Sequence, residues 1–491
     1  MKILLTGATG YLGRRLLARL AADPRLEIRV LARNRRRLAG LPARIEVHEG
    51  DTLDPASLED AFSGVEVAYY LIHSMGRPGD FEANDRLSAA NFLDAACRAG
   101  VRRLVYLGGL GLTGTASKHL RSRLETGEIL GSRPDRIQTI WFRAGVIIGS
   151  GSTSFEIVRH LVQKLPLMVT PKWVKTRTQP IAVADVLHYL DAAKDLPQRE
   201  NLVIDIGGER LTFGEMLLQT GRAMGLRRFI LPVPVLTPRL SSYWLVLFTP
   251  VPYALAGALV EGLKSETVVT NALARQLFPE IQPVGFADSV RQAIAEIEQH
   301  QVVSRWSDSG GSLSEGVPGD VAAALFVDRK IFPCGDLPPE RVFWSIVRLG
   351  GEQGWFTFDL LWEIRGLVDK LMGGYGLNRG RRDPAQLRVG DSLDFWKVLD
   401  LRPGQRLLLQ AEMKLPGRAW LEFLLQDGQL VQTAYFYPHG LRGRLYWYLL
   451  YPAHLLIFRD LGRGILRRAR AWGQPAEASP VSLGDRNTPS A

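Results

Sequence analysis

Ile3-Leu4-Leu5-Thr6-Gly7-Ala8-Thr9-Gly10-Tyr11-Leu12-Gly13, directly behind Met1 and Lys2, joins an apolar run to a turn with glycine at every third position. A strand that ends in glycines and passes straight into a helix aims backbone N–H groups and the positive helix end at one point, a geometry that receives a diphosphate. In this reading Gly7 permits the tight turn, Gly10 lets the backbone approach the phosphates, and Gly13 lets the helix sit against its strand. Thr9, Tyr11 and Leu12 complete the cofactor-binding turn. Leu12, Leu16, Leu17 and Leu20 recur at helical spacing and leave Arg14, Arg15 and Arg19 on other faces. The expected ligand is a dinucleotide.

Strand and helix patterns alternate through the first 210 residues or so. Strands are expected at Lys2 to Thr6, Glu27 to Leu31, Arg44 to His48, Val67 to Ile72, Arg103 to Leu107, Ile137 to Phe142 and Leu202 to Ile206, with helices between them that include Pro55 to Phe62 and Phe81 to Ala99. Such alternation builds an α/β fold: a Rossmann-type, doubly wound parallel sheet with helices on both faces and its ligand beyond the carboxyl ends of the strands. From about 212 to 303 the pattern turns helical and proline-punctuated, as a small substrate-side subdomain would be. Tyr243 to Val260 carries no charge over a length that could cross a bilayer, but Pro250, Pro252 and Gly257 interrupt it, and it reads as a buried helical pair or pocket wall. Residues 304–320, rich in Ser, Gly and Asp, read as a linker between a first domain, 1–303, and a second, 321–472. The second domain holds extended runs at Arg406 to Leu415, Ala419 to Leu425 and Leu430 to Tyr437, and helices near Glu340 to Leu349 and Leu445 to Ala471, an α+β pattern with a curved antiparallel sheet. Residues 473–491 read as a frayed tail.

At 491 residues, with 46% hydrophobic and 23% charged side chains, the chain is globular rather than disordered. A formal charge of +11 suits anionic partners such as a phosphorylated cofactor or acidic lipid; no nucleic-acid partner is expected. Cys97 and Cys334 are far apart and lack an accompanying histidine cluster, so neither a disulfide framework nor a metal site is indicated. The apolar N-terminal run ends at Gly7 without a cleavage signature, and a cytoplasmic location is expected.

The second strand should end near Leu31-Ala32-Arg33, beside the adenosine ribose. An acidic residue there favours a free 2′-hydroxyl, whereas an arginine accommodates a 2′-phosphate, so Arg33, backed by Arg35 and Arg36, favours NADP over NAD. Asp51 and Thr52 after the third strand fall beside the adenine. Leu71 and His73, at the end of the fourth, lie along the sugar side of the cofactor, and Gly108 closes the fifth.

TGATGYLG, EGDTLDP, LIHSM and VYLGGLG together resemble the atypical extended short-chain dehydrogenase/reductase group, in particular NmrA-like proteins and the NADPH-binding accessory subunit of respiratory complex I. The resemblance covers roughly residues 1 to 300. The second domain resembles the uncharacterised DUF2867 module and, more loosely, the helix-grip folds that hold lipids and polyketides. The first resemblance implies a Tyr and a Lys four residues later on the helix after the fifth strand, with Ser or Thr at that strand's end. Here His119 stands for the Tyr and Arg123 for the Lys, while Gly108 and Gly109 occupy the serine position and Thr113 follows. Spacing of four puts His119 and Arg123 on one helical face. A histidine can donate a proton to a carbonyl as hydride arrives, and an arginine can hold a ribose or phosphate. The alternative is that His119 is a surface or cleft histidine and Arg123 an ion-pair partner for Glu125 or Glu128.

Gly374 to Arg382 combines flexible backbone with clustered guanidinium groups, as a phosphate-binding loop would, but reads rather as a solvated basic turn. Tyr446 to Tyr451 followed by Arg459, Arg463, Arg467, Arg468 and Arg470 reads either as a helix packed on the sheet or as one lying at a membrane surface. The function expected from all this is an NADPH-preferring oxidoreductase acting on a hydrophobic carbonyl, quinone or lipid-like small molecule. A non-catalytic NADPH-binding scaffold or redox sensor, and a lipid-binding protein in peripheral contact with a membrane, are the alternatives.

Overall fold

The computed structural model describes residues 1–38, 41–73, 81–111, 117–233, 265–308, 324–355 and 381–471, with the single positions 249, 257, 261, 262, 321, 366, 369 and 370. The first domain runs β1 (Lys2–Thr6), α1 (Tyr11–Leu20), β2 (Glu27–Ala32), β3 (Ile45–Glu49), β4 (Val67–Tyr70), α2 (Phe81–Arg98), β5 (Arg103–Gly109), α3 (Lys118–Leu130), β6 (Gln138–Ala144), α4 (Thr153–Lys164), α5 (Val183–Ala192) and β7 (Leu202–Ile206). The strands form one sheet in the order β7-β6-β5-β4-β1-β2-β3, and every pair is parallel. Strands covered on both faces need apolar residues at every position. Ile3, Leu4 and Leu5 of β1 are accordingly all fully buried. On one face Leu16, Leu17 and Leu20 of α1 meet Val186, Tyr189 and Leu190 of α5. On the other, Phe92, Leu93 and Ala96 of α2 join Leu124 and Leu130 of α3.

The chain leaves β1 toward β2 and β3, then returns to β4 on β1's other side. This reversal opens a crevice at the carboxyl ends of β1 and β4, where α/β sheets bind their ligands. At the opposite end of the sheet, the buried Arg103 guanidinium donates to the carbonyls of Ala193, Lys194, Leu196 and Gln198 and to Gln138 Oε1, tying β5 to the segment after α5. Pro55–Leu58 is a single 3-10 turn rather than the longer helix expected. Ser57 Oγ donates to the carbonyls of Asp51 and Asp54, which holds the chain in a local turn.

Beyond β7 come α6 (Phe213–Ala223), opened by a reciprocal Thr212 and Glu215 cap, then α7 (Leu273–Leu277) and α8 (Phe286–Glu298). Between these helices, among the described residues, Phe229–Pro232 pairs in parallel with Leu167–Thr170. The apolar span 243–260 lies outside the described residues apart from Thr249 and Gly257. Among the described residues no helix is long and apolar enough to cross a membrane.

Of the expected linker, residues 309–320 lie outside the described residues, while 304–308 form a buried strap. Ser304 Oγ donates to Tyr11 O at 2.8 Å and Trp306 N to Gly151 O at 2.9 Å. From the far side Lys397 Nζ donates to Ser307 O at 2.7 Å, and Arg37 reaches the Asp308 carbonyl. The strap thus joins the glycine turn to the second domain.

That domain contains β8 (Phe326–Pro333), α9 (Pro339–Ile346), β9 (Ser392–Leu393), β10 (Trp396–Arg402), β11 (Arg406–Ala411), β12 (Gly417–Gln426), β13 (Gln429–Pro438) and α10 (Gly440–Ala471). The sheet is antiparallel in the order β8-β13-β12-β11-β10-β9. Val342 and Ile346 of α9 and Phe458, Leu461 and Ile465 of α10 cover Leu407, Leu409, Leu421 and Phe423. Gly462 lets α10 come close, since a Cβ there would lie 2.2 Å from the Phe332 ring. The expected solvated turn at Gly374 to Arg382 is corrected at its end: Arg381 and Arg382 are buried, Arg381 donating to the Val347 and Leu349 carbonyls and Arg382 to Asp391. The remainder, 374–380, lies outside the described residues.

Candidate functional site

The glycine turn is built by contacts that no side chain could share. Gly7 has φ +70°, and a Cβ on it would lie 2.4 Å from the Leu71 carbonyl oxygen. A Cβ on Gly13 would lie 2.1 Å from Gly7 O. Gly10 N donates to Gly7 O at 2.8 Å, which folds Ala8 and Thr9 into the turn and sets Gly10 as the extended residue before α1. No side chain caps α1, and its first turn contains no acidic residue. The leading N–H groups of Tyr11, Leu12 and Gly13 and the positive helix end are therefore left for an anion. The Tyr11 side chain turns the other way, into the protein, with the Arg15 guanidinium 5.0 Å from its ring centre, so only its backbone faces the turn.

At the carboxyl end of β2, Arg33 directly follows the strand and is exposed. With Ala32, Asp51, Thr52, Ile72 and Ser88 it lines a small cavity of about 40 Å³. Thr52 is fixed by a chain of hydroxyls: Ser88 Oγ donates to Thr52 Oγ1 at 2.7 Å and lies 2.7 Å from the Tyr70 hydroxyl. Asp51 Oδ1 accepts from Leu53 N at 3.1 Å. Arg37 is held at the same edge, its guanidinium pushed down to about 10 by burial and by the neighbouring Arg14 and Arg33. A larger cavity, about 420 Å³, is lined by Asp94, Cys97 and Arg133 at the amino ends of the strands, away from this crevice.

The other end of the crevice carries two imidazoles. Leu71 N donates to Thr6 Oγ1 at 3.0 Å, which fixes the chain as it leaves β4 and presents His73. His73 Nδ1 lies 3.2 Å from Asp85 Oδ2, and Ser122 Oγ donates to the same oxygen at 2.9 Å. His73 Nε2 is buried and has no partner among the described residues. His119, on the first turn of α3, stacks on Phe81 with centroids 4.7 Å apart and meets His73 edge-on at 6.5 Å; its Nδ1 also has no partner among the described residues. Burial holds both imidazoles below the usual histidine range. The nearby Arg123 also lowers His73, and His73 also lowers His119, against Asp85 on both and Glu82 and Glu261 on His119.

Arg123 does not pair with Glu125, which binds Arg86. Its Nη2 donates to Leu107 O at 3.0 Å, and its carbonyl accepts from the Tyr106 hydroxyl, so it holds the end of β5. Gly108 owes its place to packing, since a Cβ there would lie 2.4 Å from Trp141 Nε1. Thr113 lies outside the described residues. Asp85 and Ser122 were not among the residues singled out from sequence. One signal was available: Asp85 shares a helical face with Ser88, Ala89 and Phe92, where an apolar residue was due.

These depressed imidazoles have a consequence for stability. Between pH 7.5 and 5.5 the side chains that ordinarily titrate are histidines (about 6.5). An imidazole whose folded pKa lies below its unfolded value contributes stability that is present above the unfolded value and is lost as pH falls through the folded one. The melting temperature of the protein is expected to fall across that interval, and to fall less in His73→Asn. A flat profile would show that neither ring is held neutral.

Residues 7–131 match the family described as NAD(P)H-binding, and residues 321–461 match the family described as a protein of unknown function, DUF2867. Over 106 residues, 21% of this chain, the sequence is 40% identical to a (4-alkanoyl-5-oxo-2,5-dihydrofuran-3-yl)methyl phosphate reductase of Streptomyces griseus subsp. griseus. Over 120 residues, 23% of this chain, it is 35% identical to sterol demethylase protein B of Methylococcus capsulatus. The chain spans about a third of the length of these curated relatives, 33% and 36% respectively. The solved triphenylmethane reductase of Citrobacter sp. superposes with a TM-score of 0.50 at 22% identity, covering 60% of this chain and 100% of that one, a likeness of fold. Residues 7–131 of the first domain are therefore similar to the NAD(P)H-binding family, and residues 321–461 of the second to the DUF2867 family.

Proposed function

We propose that the protein is an NADPH-preferring oxidoreductase that reduces a hydrophobic carbonyl, quinone or lipid-like compound. The observation that carries this reading is the pair of adjacent imidazoles, His73 after β4 and His119 at the start of α3, each with a buried ring nitrogen lacking a partner among the described residues, on the same edge of the sheet as the uncapped glycine turn. A reduced nicotinamide bound there supplies a hydride. His119, in its protonated imidazolium form, would give its proton to the substrate oxygen and be left as the neutral ring, so turnover should rise as pH falls toward its lowered pKa; Arg123 would hold the ribose or phosphate side with the guanidinium N–H groups it does not use on Leu107. Two relatives, the reductase of an alkanoyl-bearing dihydrofuranylmethyl phosphate and the sterol demethylase protein, support a substrate with an apolar part. Two free, buried cysteines suit a reducing, cytoplasmic setting.

Arg33 at the end of β2 supports NADPH over NADH. One charge-assisted phosphate contact is worth about 1.5–3 kcal/mol, roughly tenfold to a hundredfold. Arg33→Ala is expected to lose that factor for NADPH and leave NADH affinity unchanged, read by fluorescence titration; equal affinities in the unaltered protein would remove the preference. The activity is tested by incubation with NADPH and a panel of quinones and apolar carbonyls. Cofactor oxidation that depends on one compound, abolished by His119→Phe with NADPH affinity intact, is the expected result. Bound NADPH with no oxidation by any acceptor would favour the binding-only reading, to which the replacement of Tyr and Lys by His119 and Arg123 also points.

A further inference from the structure

The outward face of α10 is divided into an apolar half and a basic half. Leu441, Leu445, Tyr448, Leu449, Leu455 and Leu456 are exposed by 82, 67, 66, 75, 41 and 52% respectively. At about 100° per residue they fall within a single arc of about 120°, over a length of about 24 Å. Pro452 lies inside this arc and Tyr451 flanks it. The helix is held to the domain by the opposite side, through Trp447, Phe458, Leu461 and Ile465. Trp447 stacks on Phe436 at 5.7 Å, so the apolar stripe is not a helix face that has lost its sheet. Farther along the same arc the exposed residues change to Arg459, Arg463, Arg467 and Arg470. Arg442 and Arg444 flank the other end, and the carboxylate beside the arc, Asp460, is matched by Arg459 at 3.9 Å.

We propose that α10 is an interfacial anchor that lays this face on an anionic lipid bilayer. Leu441 to Leu456 enter the boundary between headgroups and acyl chains, the tyrosines sit at headgroup level, and the arginine row lies along the acidic headgroups. An apolar face rimmed by arginine and interfacial tyrosine has the composition of a helix that lies in a membrane plane rather than across it. Charge complementarity selects the acidic surface over a second copy of this chain, which carries the same +11. The inference does not rest on the reductase reading.

The test is co-sedimentation of the full-length protein with vesicles of phosphatidylcholine alone or mixed with phosphatidylglycerol. The protein is expected to sediment with the mixed vesicles at least tenfold more strongly and to be released by salt, which screens the arginines. Leu445→Glu with Leu449→Glu should abolish binding. Arg459→Gln, Arg463→Gln and Arg467→Gln together should remove the preference for acidic lipid. All five positions are exposed, and unchanged melting temperatures confirm the fold. No sedimentation with acidic vesicles, or undiminished sedimentation of the leucine variant, would overturn the proposal. So would a dimer in sedimentation equilibrium that the leucine variant splits, since the face would then be an interface between copies.

Discussion

Gly13→Ala is expected to weaken NADPH binding by at least about a hundredfold while the protein stays folded. The added methyl would lie 2.1 Å from Gly7 O, 2.5 Å from Gly7 C and 2.9 Å from Ala8 N, all backbone atoms of the turn itself. No rotamer change relieves such a contact, so α1 must withdraw from β1. A shift of about 1 Å in groups that position a ligand can cost about a hundredfold. The same substitution improves helix propensity by about 1 kcal/mol and overpacks by about 1–3 kcal/mol, so its effect on stability is small beside its effect on binding. Calorimetric titration read against the melting temperature separates the two. A variant that binds as well as the unaltered protein would mean that the first turn of α1 does not hold the diphosphate.

The largest loss of stability is expected from Arg103→Met. This guanidinium is 1% exposed and satisfies the carbonyls of Ala193, Lys194, Leu196 and Gln198 as well as Gln138 Oε1. Methionine fills part of the volume and donates nothing. Each buried acceptor left without a donor costs about 1–3 kcal/mol, and after relaxation the total should reach about 3–5 kcal/mol. That is a large share of the roughly 5–15 kcal/mol available to a domain. Urea unfolding followed by tryptophan fluorescence should show the midpoint of the first domain moving down accordingly. Because Arg103 sits at the amino end of β5, away from the crevice, NADPH affinity at low denaturant should be unchanged. A shift below about 1 kcal/mol would show that water replaces the guanidinium.

The first domain was legible because its strands are covered on both sides. Lys2–Thr6 and Leu202–Ile206 are short strands dominated by apolar residues, Asp205 in the second being tied to Arg143, and their limits agree with the sequence reading. Where limits moved, a side chain had taken a backbone group. β4 stops at Tyr70 because Leu71 N turns to Thr6 Oγ1, and the stretch after Asp54 stays a 3-10 turn because Ser57 binds two carbonyls. The glycine spacing pointed to the turn; it could not show that Tyr11 faces the protein. The imidazole pair was half visible. His73 and His119 could be named, but their partners come from α2 and α3, and the Ser122 to Asp85 bond spans 37 positions. Arg381 and Arg382 looked solvated because they end a run of glycine and arginine, and the carbonyls that bury Arg381 lie more than thirty positions back.

The central claim is that the bend between β1 and α1 grips a dinucleotide, and titration calorimetry of the full-length protein with NADPH tests it most directly. A saturable heat with one site per chain, absent or shifted at least about a hundredfold in Gly13→Ala, is the predicted result. A flat titration of the unaltered protein with both NADPH and NADH would contradict it.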